Sequence, residues 1–374
     1  MLDGKRILIA AGGTGGHINP ALGTAGCIKE KNPDAEIVFV GTADKMEAKL
    51  VPEAGYELKT IDISGFYRSF KWEDIKHNLG TLSKLLRSSS QAKKIIKEFK
   101  PDVVIGFGGY VSGPVLRMAA KMRIPTAIHE QNAFPGVTNK ALAKKVDRVM
   151  LTSGKAEQFM KPKNKPVITG LPVRGDILRA DAASCKEKLD LGGKPLILSM
   201  GGSLGAKPVN DAVFGLILNK YKDEDCVFLH ATGKKDTTFA QRLEEQGLDL
   251  EKYKDVRICE YINIPECLPA ASLVICRSGA STLSELQALG KPSILIPSPY
   301  VAENHQYHNA MALVNEGAAE ILEEKDLTPG SLTARVNELL ASPEKLESLG
   351  KNAAAMAVTD ATERIYAVID EIAG

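Results

Sequence analysis

Short apolar runs alternate with longer amphipathic stretches along this 374-residue chain. Apolar runs separated by helix-length segments are typical of parallel sheets with right-handed helical crossovers. In the first half the predicted strands are Ile7 to Ala11, Glu36 to Val40, Val103 to Phe107, Thr126 to His129, Arg148 to Leu151 and Val167 to Thr169. In the second half they are Leu196 to Met200, Val227 to Ala231, Val256 to Glu260, Leu273 to Cys276, Ser293 to Ile296 and Ala319 to Ile321. The pattern predicts an α/β protein.

The first predicted strand of each half ends in a glycine-rich turn. The first turn spans Gly12 to His17 and the second Gly201 to Ala206, almost half the chain apart. Such a turn feeds a helix whose N-terminal N–H groups can bind an anion. Two similar halves predict two domains, over 1–168 and 169–356, joined near Pro162 to Pro172. Apolar residues at helical spacing predict a final helix within 357–374.

The common nucleotide motifs do not fit these turns. The dinucleotide pattern G-x-G-x-x-G, started at Gly13, needs glycine or alanine where this chain has Ile18. The second predicted strand ends in Gly41-Thr42, without an acidic residue for a ribose. No G-x-x-x-x-G-K-[ST] motif occurs in the chain. NAD binding is disfavoured, and a P-loop nucleotidase is not supported.

Composition narrows the class of partner. The formal charge is +2 and aromatic residues make up 5% of the chain, so neither property points to nucleic acid. The six cysteines lack zinc spacing and predict reduced thiols in the cytosol. Neither a signal peptide nor a transmembrane helix is predicted. We expect a soluble protein, or one that lies on a membrane surface.

The unusual segments follow predicted strands. In an open parallel sheet, ligands bind beyond the carboxyl ends of the strands. Besides the two glycine turns, the segments at such ends are Gly106 to Pro114, His129 to Asn132 and Arg277 to Glu285. We therefore expect the binding site there.

Several ordered motifs resemble those of the MurG family of bacterial glycosyltransferases. They are Gly-Gly-Thr-Gly-Gly-His, Gly-Gly-Tyr-Val-Ser-Gly-Pro, His-Glu-Gln-Asn, Pro-Val-Arg, Gly-Gly-Ser-x-Gly-Ala, Cys-Arg-Ser-Gly-Ala-x-Thr and Asn-His-Gln. The resemblance implies a GT-B fold, with two Rossmann-like domains facing across a cleft and the C-terminal helix crossing back onto the first. It also implies inverting transfer of N-acetylglucosamine (GlcNAc) from UDP-GlcNAc to the C4 hydroxyl of undecaprenyl-pyrophosphoryl-MurNAc-pentapeptide, converting lipid I to lipid II in peptidoglycan synthesis.

The resemblance also implies the donor site. Glu285 would bind the ribose, Ser203 the phosphate, Arg174 the leaving diphosphate, the Ile262 backbone the uracil and Gln306 the sugar. The alternatives are a first-turn acid complementing the helix dipole for Glu285, a helix cap for Ser281 or Thr282, a turn cap for Ser203 and a solvent-exposed linker residue for Arg174. For Ile262 the alternative is an ordinary apolar loop residue, and for Gln306 a residue on a helix surface. Leu171 replaces the family's usual asparagine near Arg174. The full predicted UDP-GlcNAc set is Thr14, Gly15, Gly16, Asn132, Arg174, Ser203, Ile262, Ala280, Ser281, Thr282, Leu283, Ser284, Glu285 and Gln306.

The acceptor side follows from the same resemblance. The predicted acceptor-binding residues are Gly13, Gly106, Gly108, Gly109, Tyr110, Ser112 and Gly113. His17 is the candidate general base, because the positive end of a helix disfavours imidazolium and favours a neutral ring that can accept a proton. The alternative is that His17 only hydrogen-bonds the acceptor or supports the glycine turn.

Metal and membrane predictions rest on two further segments. Asp223-Glu224-Asp225 has the Asp-x-Asp form of some glycosyltransferase metal sites, but it precedes a strand and so predicts a solvated turn. We expect no metal and no cofactor. Phe66 to Ile75 combines aromatic and basic residues and predicts contact with the acceptor or an anionic membrane, whereas we expect Leu82 to Ile96 to be a crossover helix on the sheet. The resemblance places the protein peripherally on the cytoplasmic face of the cell membrane, with other cell-wall synthesis proteins as further candidate partners.

Three other functions stay open at this point. A diacylglycerol glycosyltransferase would share the UDP half but not the acceptor half. A UDP-GlcNAc 2-epimerase would need acid and base groups flanking the sugar and no lipid. A nucleotide-sugar-binding protein without catalysis would not need His17.

Overall fold

The computed structural model describes residues 2–63 and 87–374. Contacts divide the chain into two compact units, Met1–Pro172 with Asp360–Gly374, and Val173–Thr359. The predicted membrane segment Phe66 to Ile75 lies outside the described residues, as does the start of the crossover helix predicted from Leu82. Of that helix, residues 87–99 are described and helical.

The described part of the first unit holds a seven-stranded parallel sheet in the order β3-β2-β1-β4-β5-β6-β7. The strands are β1 Arg6–Ala10, β2 Glu36–Gly41, β3 Glu57–Thr60, β4 Val103–Gly106, β5 Thr126–Glu130, β6 Arg148–Leu151 and β7 Val167–Ile168. The helices are α1 Gly15–Lys31, α2 Glu47–Glu53, α3 over 87–99, α4 Gly109–Lys121 and α5 Val137–Ala143.

The apolar runs form buried strands because both faces of the sheet are covered. Leu8 and Ala10 of β1 pack in the cluster that includes Val115 of α4. Ile7 and Ile9 point to the opposite cluster, with α1. A strand buried on both faces needs apolar residues at every position rather than at alternate ones. This explains why the central strands were visible as continuous runs.

Strand β3 was not predicted from the sequence. Its residues Glu57 and Thr60 are exposed, and within the described residues β3 pairs only with β2. An edge strand with polar ends lacks the apolar run that marked the other strands. The other predicted strands are present, with differences of a residue at some ends.

The second unit holds a six-stranded parallel sheet in the order β10-β9-β8-β11-β12-β13. Its strands are β8 Leu196–Met200, β9 Val227–Ala231, β10 Val256–Cys259, β11 Leu273–Cys276, β12 Ser293–Leu295 and β13 Glu320–Ile321. Its helices are α6 Gly175–Leu178, α7 Ala182–Lys188, α8 Lys207–Lys220, α9 Phe239–Glu245, α10 Ile264–Ala270, α11 Ala280–Ala288, α12 His305–Val314, α13 Pro329–Leu340 and α14 Pro343–Ala355.

The two sheets share one topology. In each, the first strand of the unit lies centrally, with the next strands on one side and the fourth strand on the other. The strand order therefore reverses between β1 and β4, and again between β8 and β11. Such switch points are where open α/β sheets bind ligands. The predicted pair of Rossmann-like domains is confirmed.

The final helix, α15 Ala361–Ala373, packs within the first unit. Its Ile365 and Ile369 join the core that contains Ile18 and Ile28 of α1. Asn32 Nδ2 donates a hydrogen bond of 2.9 Å to the Tyr366 hydroxyl. Within the described segments, no helix combines the length and apolarity needed to span a bilayer.

Candidate active sites in the two units

The first glycine turn leaves β1 and starts α1. Thr14 is the N-cap residue, but its side chain makes no capping hydrogen bond. Among the described residues, the N–H groups of Gly15 and Gly16 have no hydrogen-bond partner. They are the first donors of α1 and lie at its positive end. This helix N-terminus can therefore bind an anion or a polar sugar group.

His17 is held in one orientation by this turn. Its Nδ1 lies 3.0 Å from the carbonyl oxygen of Gly12 and 3.3 Å from the Thr14 hydroxyl. A carbonyl oxygen only accepts hydrogen bonds, so Nδ1 carries the proton and donates it. In the neutral ring Nε2 then carries the lone pair. The geometry matches what a general base would need.

The second glycine loop, between β4 and α4, lies against the first. Gly109 has φ +77°, and a Cβ there would lie 2.3 Å from the Gly12 carbonyl oxygen. Gly108 has φ +102°, and a Cβ there would lie 2.7 Å from Cδ2 of the His17 ring. Both positions require glycine, because a side chain would meet backbone or the His17 ring. The structure thus brings His17 and the predicted acceptor loop together.

The side chains of this second loop differ in exposure. Ser112 is fully buried, and its hydroxyl lies 2.8 Å from the Gly108 oxygen and 3.1 Å from the Ala10 oxygen. It also accepts a hydrogen bond from the Gly108 N–H, so Ser112 holds the loop in shape. Tyr110 is 56% exposed. Gly106 ends β4, whereas Tyr110, Ser112 and Gly113 belong to the first turns of α4, so the segment predicted as a loop over Gly106 to Pro114 is helical from Gly109 onward.

A buried network follows β5. Glu130 is buried and accepts hydrogen bonds from the backbone and side-chain nitrogens of Asn132, from the Gly136 N–H and from Asn139 Nδ2. His129 Nε2 donates to the Gly170 oxygen at 2.8 Å. Burial lowers the pKa of His129 to about 4, although the Gly170 bond opposes this. Glu130 therefore fixes Asn132, a predicted donor contact, while the neutral His129 ring joins β5 to Gly170.

Glu47 is a site residue that sequence reasoning missed. This carboxylate, at the start of α2, is fully buried and accepts hydrogen bonds from the Gly13 N–H at 2.9 Å and from both the N–H and hydroxyl of Thr42. It thereby fixes the first glycine turn. A single acidic residue carries no sequence signal for burial, because its partners come from two other segments.

In the second unit, the glycine turn after β8 rests on the loop after β9. A Cβ at Gly205 would lie 2.2 Å from the Thr232 oxygen. Lys234 N–H donates to the Ser203 oxygen at 3.3 Å, and the side chain of Ser203 is exposed. The loop after β9 was not predicted as part of the site, but it fixes the path of the Ser203 turn.

Helix α11 presents its N-terminus without a side-chain cap. Gly279 is the N-cap residue, so the alternative of Ser281 or Thr282 as the cap is wrong. The N–H groups of Ala280, Ser281 and Thr282 have no hydrogen-bond partner within the described segments. These donors and the helix dipole can bind an anion such as a phosphate. The neighbouring Leu283 and Ser284 are buried.

Glu285 lies in the second turn of α11, since the first turn contains no acidic residue. The alternative of a first-turn acid is therefore wrong. Burial raises the pKa of the Glu285 carboxyl to about 7; the positive charge of Arg174 lowers it and the negative charge of Asp176 raises it. Arg174 is exposed and donates two hydrogen bonds to the carboxylate of Asp176. The linker around Arg174 thus lies close enough to Glu285 to influence its charge, while Leu171, just before it in the chain, is buried.

Gln306 belongs to the first turn of α12. Its backbone oxygen accepts a 2.7 Å hydrogen bond from the Ser278 hydroxyl, and its Oε1 accepts from the Ser298 N–H at 2.8 Å. The structure therefore brings Gln306 next to the segment that opens α11. Ile262 is half-buried in the loop after β10, at the same edge of the sheet.

The Asp223-Glu224-Asp225 segment lies before β9, at the opposite edge of the sheet. Lys220 Nζ lies 3.1 Å from carboxylate oxygens of both Asp223 and Asp225. An ammonium group thus occupies the position between the two carboxylates that a cation would need.

The fold and its two strand-end sites define a protein of two Rossmann-like domains, and both domains match models of glycosyltransferases. Residues 7–151 match the glycosyltransferase family 28 N-terminal domain, and residues 196–365 match the family 28 C-terminal domain. The UDP-N-acetylglucosamine--N-acetylmuramyl-(pentapeptide) pyrophosphoryl-undecaprenol N-acetylglucosamine transferase of Acetivibrio thermocellus is 44% identical over 98% of both chains. The crystal structure of Acinetobacter baumannii MurG superposes with a TM-score of 0.79 and 27% identity, covering 98% of this chain and 99% of that one. The chain belongs to the MurG family.

A more distant likeness bears on one alternative function. A putative UDP-N-acetylglucosamine 2-epimerase from Listeria monocytogenes superposes with a TM-score of 0.68 at 14% identity, over 99% of this chain and 96% of that one. At this level of identity the likeness shows a shared fold alone.

Proposed function

We propose that this protein transfers GlcNAc from UDP-GlcNAc to the C4 hydroxyl of undecaprenyl-pyrophosphoryl-MurNAc-pentapeptide, converting lipid I to lipid II in peptidoglycan synthesis. The observation that carries the proposal is the near-full-length similarity to enzymes named for this transfer. The two strand-end sites support the proposal, since one unit orients His17 as a candidate base and the other has an uncapped helix terminus suited to phosphate.

The second unit binds the donor. The N–H groups of Ala280 to Thr282 receive the diphosphate, with Ser203 as a further donor, and the Glu285 carboxylate accepts hydrogen bonds from ribose hydroxyls. Gln306 contacts the sugar, and the backbone of Ile262 meets the uracil. As the bond from the anomeric carbon to UDP breaks, its electron pair leaves with UDP. The helix terminus and Arg174 stabilise that negative charge, so the reaction needs no metal ion.

The first unit binds the acceptor. N–H groups of the second glycine loop receive the acceptor pyrophosphate, because those of Gly109, Tyr110 and Val111 at the start of α4 have no partner within residues 2–63 and 87–374. His17 Nε2 takes the proton of the C4 hydroxyl while the oxygen attacks the anomeric carbon, opposite the departing UDP. The new glycosidic bond has inverted configuration.

The acceptor's lipid tail supports peripheral attachment to a membrane. In the described part of the first unit, Val137 is 55% and Phe159 is 39% exposed. The Phe159 and Phe134 ring centroids lie 4.6 Å apart with the rings tilted by 53°, and Lys140 Nζ lies 4.1 Å from the Phe134 ring centroid. Apolar and basic groups side by side suit an anionic lipid surface.

The membrane proposal is tested by vesicle sedimentation. The double variants Phe70→Ser with Trp72→Ser, and Val137→Ser with Phe159→Ser, are compared with the wild type on anionic and neutral vesicles. We expect weaker binding to anionic vesicles and full activity on a water-soluble acceptor. Unchanged binding of both variants would contradict these surfaces, and equal loss of activity on soluble and lipid acceptors would make the residues part of the fold or site.

The reaction is tested with purified protein, UDP-GlcNAc and a lipid I analogue. We expect stoichiometric UDP and a β-linked disaccharide product. Transfer to diacylglycerol instead would indicate the related lipid glycosyltransferase. Conversion of UDP-GlcNAc without any acceptor would indicate a 2-epimerase, and binding without turnover would indicate a sugar-nucleotide-binding protein.

A further inference from the structure

We propose that Glu47 acts on His17 through the single peptide unit that joins Gly12 to Gly13, as a positioning residue for the candidate base. The proposal rests on the proposed function, because it concerns the proton-accepting nitrogen of His17. Glu47 itself is buried and belongs to α2, outside the glycine turn.

The first step is the contact between Glu47 and the peptide N–H. Glu47 Oε2 accepts the Gly13 N–H at 2.9 Å. Its Oε1 accepts the Thr42 N–H at 2.9 Å and the Thr42 hydroxyl at 2.8 Å. Three donors therefore converge on this buried carboxylate, and hydrogen bonds to a charged acceptor are the stronger kind.

Two glycines make room for the Glu47 side chain. A Cβ at Gly12 would lie 2.6 Å from Glu47 Oε1, and a Cβ at Gly41 would lie 2.5 Å from Glu47 Cγ. Any larger residue at either position would displace the carboxylate from the Gly13 N–H. The sequence around the turn thus fits this particular contact.

The second step is the contact at the other end of the same peptide. The Gly12 carbonyl oxygen accepts the hydrogen bond from His17 Nδ1 at 3.0 Å. The Gly12 carbonyl and the Gly13 N–H belong to one planar amide, so their polarities are coupled. A carboxylate bound to the N–H increases the negative charge on the oxygen, because hydrogen bonds in a chain polarise one another.

The consequence concerns the tautomer of His17. A more negative Gly12 oxygen holds the ring proton on Nδ1 and leaves the Nε2 lone pair for the acceptor hydroxyl. The arrangement has the logic of a catalytic triad, in which a carboxylate fixes the histidine tautomer. Here one peptide unit stands between the carboxylate and the imidazole.

The charge of Glu47, rather than its shape alone, is needed in this account. A glutamine at position 47 keeps the length but offers one acceptor oxygen and one NH₂ group. Because N–H donors approach both oxygens of Glu47, the NH₂ group would face either the Gly13 or the Thr42 N–H. Glu47→Gln should therefore weaken the hydrogen bond that the Gly12 carbonyl oxygen accepts from His17, or rotate the Gly12–Gly13 peptide.

The test is ¹⁵N NMR of histidine-labelled protein at a pH where the His17 ring is neutral, with His17→Gln used for assignment. In the wild type we expect the Nδ1–H tautomer. In Glu47→Gln we expect a larger Nε2–H fraction and a fall in kcat of about ten- to a hundredfold, by analogy with the loss when outer partners of metal-binding histidines are removed. UDP affinity, measured by calorimetry, should not change.

Glu53→Gln is the matched control, because Glu53 is exposed at the other end of the same helix. It should leave the tautomer and kcat unchanged. A folded Glu47→Gln protein with the wild-type tautomer and kcat would overturn the proposal. If that variant does not fold, the wild-type spectrum still tests the proposal, since an Nε2–H tautomer of His17 in the wild type would overturn it.

The NMR measurement needs no substrate, so its failure is separate from failure of the proposed reaction. Suppose that the wild type makes no disaccharide, yet its His17 is the Nδ1–H tautomer and Glu47→Gln shifts the proton to Nε2. That result would contradict the proposed reaction and support the coupling between Glu47 and His17. A fully active wild type whose tautomer is independent of Glu47 would do the reverse.

Discussion

The glycine turns after β1 and β8 start from the same pattern and end in different chemistry. Each follows a buried strand and opens a helix beside a switch point of its sheet. The first is fixed by the buried carboxylate of Glu47 and carries His17. The second is fixed by backbone contact with the Thr232 loop and exposes Ser203. We therefore propose that one supersecondary unit serves proton transfer in one domain and anion binding in the other.

Buried histidines sharpen this comparison. His129 on β5 and His230 on β9 are both fully buried. Burial lowers the pKa of each to about 4, so both stay neutral under physiological conditions. His129 bonds Gly170 and His230 bonds Ser199, which are structural contacts. His17 is only partly buried beside the glycine loops, as its proposed role in proton transfer requires.

The largest expected effect tests the first turn. His17→Ala should lower kcat by about 10²- to 10⁴-fold, the usual contribution of a general base. UDP-GlcNAc affinity should change little, because the donor contacts proposed here lie mainly in the second unit. Steady-state kinetics and calorimetry on the same preparation measure both quantities. Near-normal turnover, or a loss confined to acceptor affinity, would assign His17 to positioning and leave the base unidentified.

The next largest expected effect tests the donor site proposed for the second unit. Glu285→Ala removes a charged acceptor for ribose hydroxyls, worth about 1.5 to 3 kcal/mol, so UDP should bind roughly ten- to a hundredfold more weakly. Glu251→Ala is the matched control, because Glu251 is an exposed acid of the same unit. Unchanged UDP affinity in folded Glu285→Ala would falsify the placement of the ribose.

Much of this architecture was predictable from the sequence, and the reason is burial. Strands such as β8 and β9 are apolar on both faces, so their bounds were visible as runs. The exposed edge strand β3 gave no such signal. The glycine turns were visible because positive φ and close backbone contact require glycine at Gly109 and Gly205.

The supporting residues of the sites were not predictable in the same way. Glu47 meets Thr42 and Gly13 only after α2 packs beneath the first turn. Glu130 lies inside a recognised motif, but its four donors come from Asn132, Gly136 and Asn139. A buried carboxylate is defined by partners from several segments, and a single sequence does not show which segments meet.

A smaller effect concerns the cost of burying Glu285. The ordinary pKa of a glutamate is 4.5, and burial raises that of Glu285 to about 7. Between these values the folded protein holds a proton that the unfolded chain has released, so this residue's contribution to stability falls as pH rises through that window. Glu285→Gln removes the charge and should raise Tm more at about pH 8 than at about pH 5. Scanning calorimetry at both values measures this, with Glu251→Gln as control; an equal or larger gain at the lower pH would contradict the burial account.

The smallest expected effect concerns Asp223 and Asp225, at the edge of the second sheet opposite the proposed site. It tests whether these carboxylates serve stability or catalysis. Burial would lower the pKa of Lys220, but its bonds to Asp223 and Asp225 raise it above the ordinary value. Replacing both aspartates by asparagine leaves this nearly buried ammonium group with neutral partners, at a cost to stability of about 1 kcal/mol. Turnover should be the same in the double variant and the wild type, and both should stay active in excess EDTA, because the donor diphosphate is bound by the α11 terminus. Loss of activity on chelation, with recovery on added magnesium or manganese, would show that leaving-group stabilisation needs a cation. Loss of turnover in the double variant, without an effect of EDTA on the wild type, would show that the Asp223 segment takes part in catalysis.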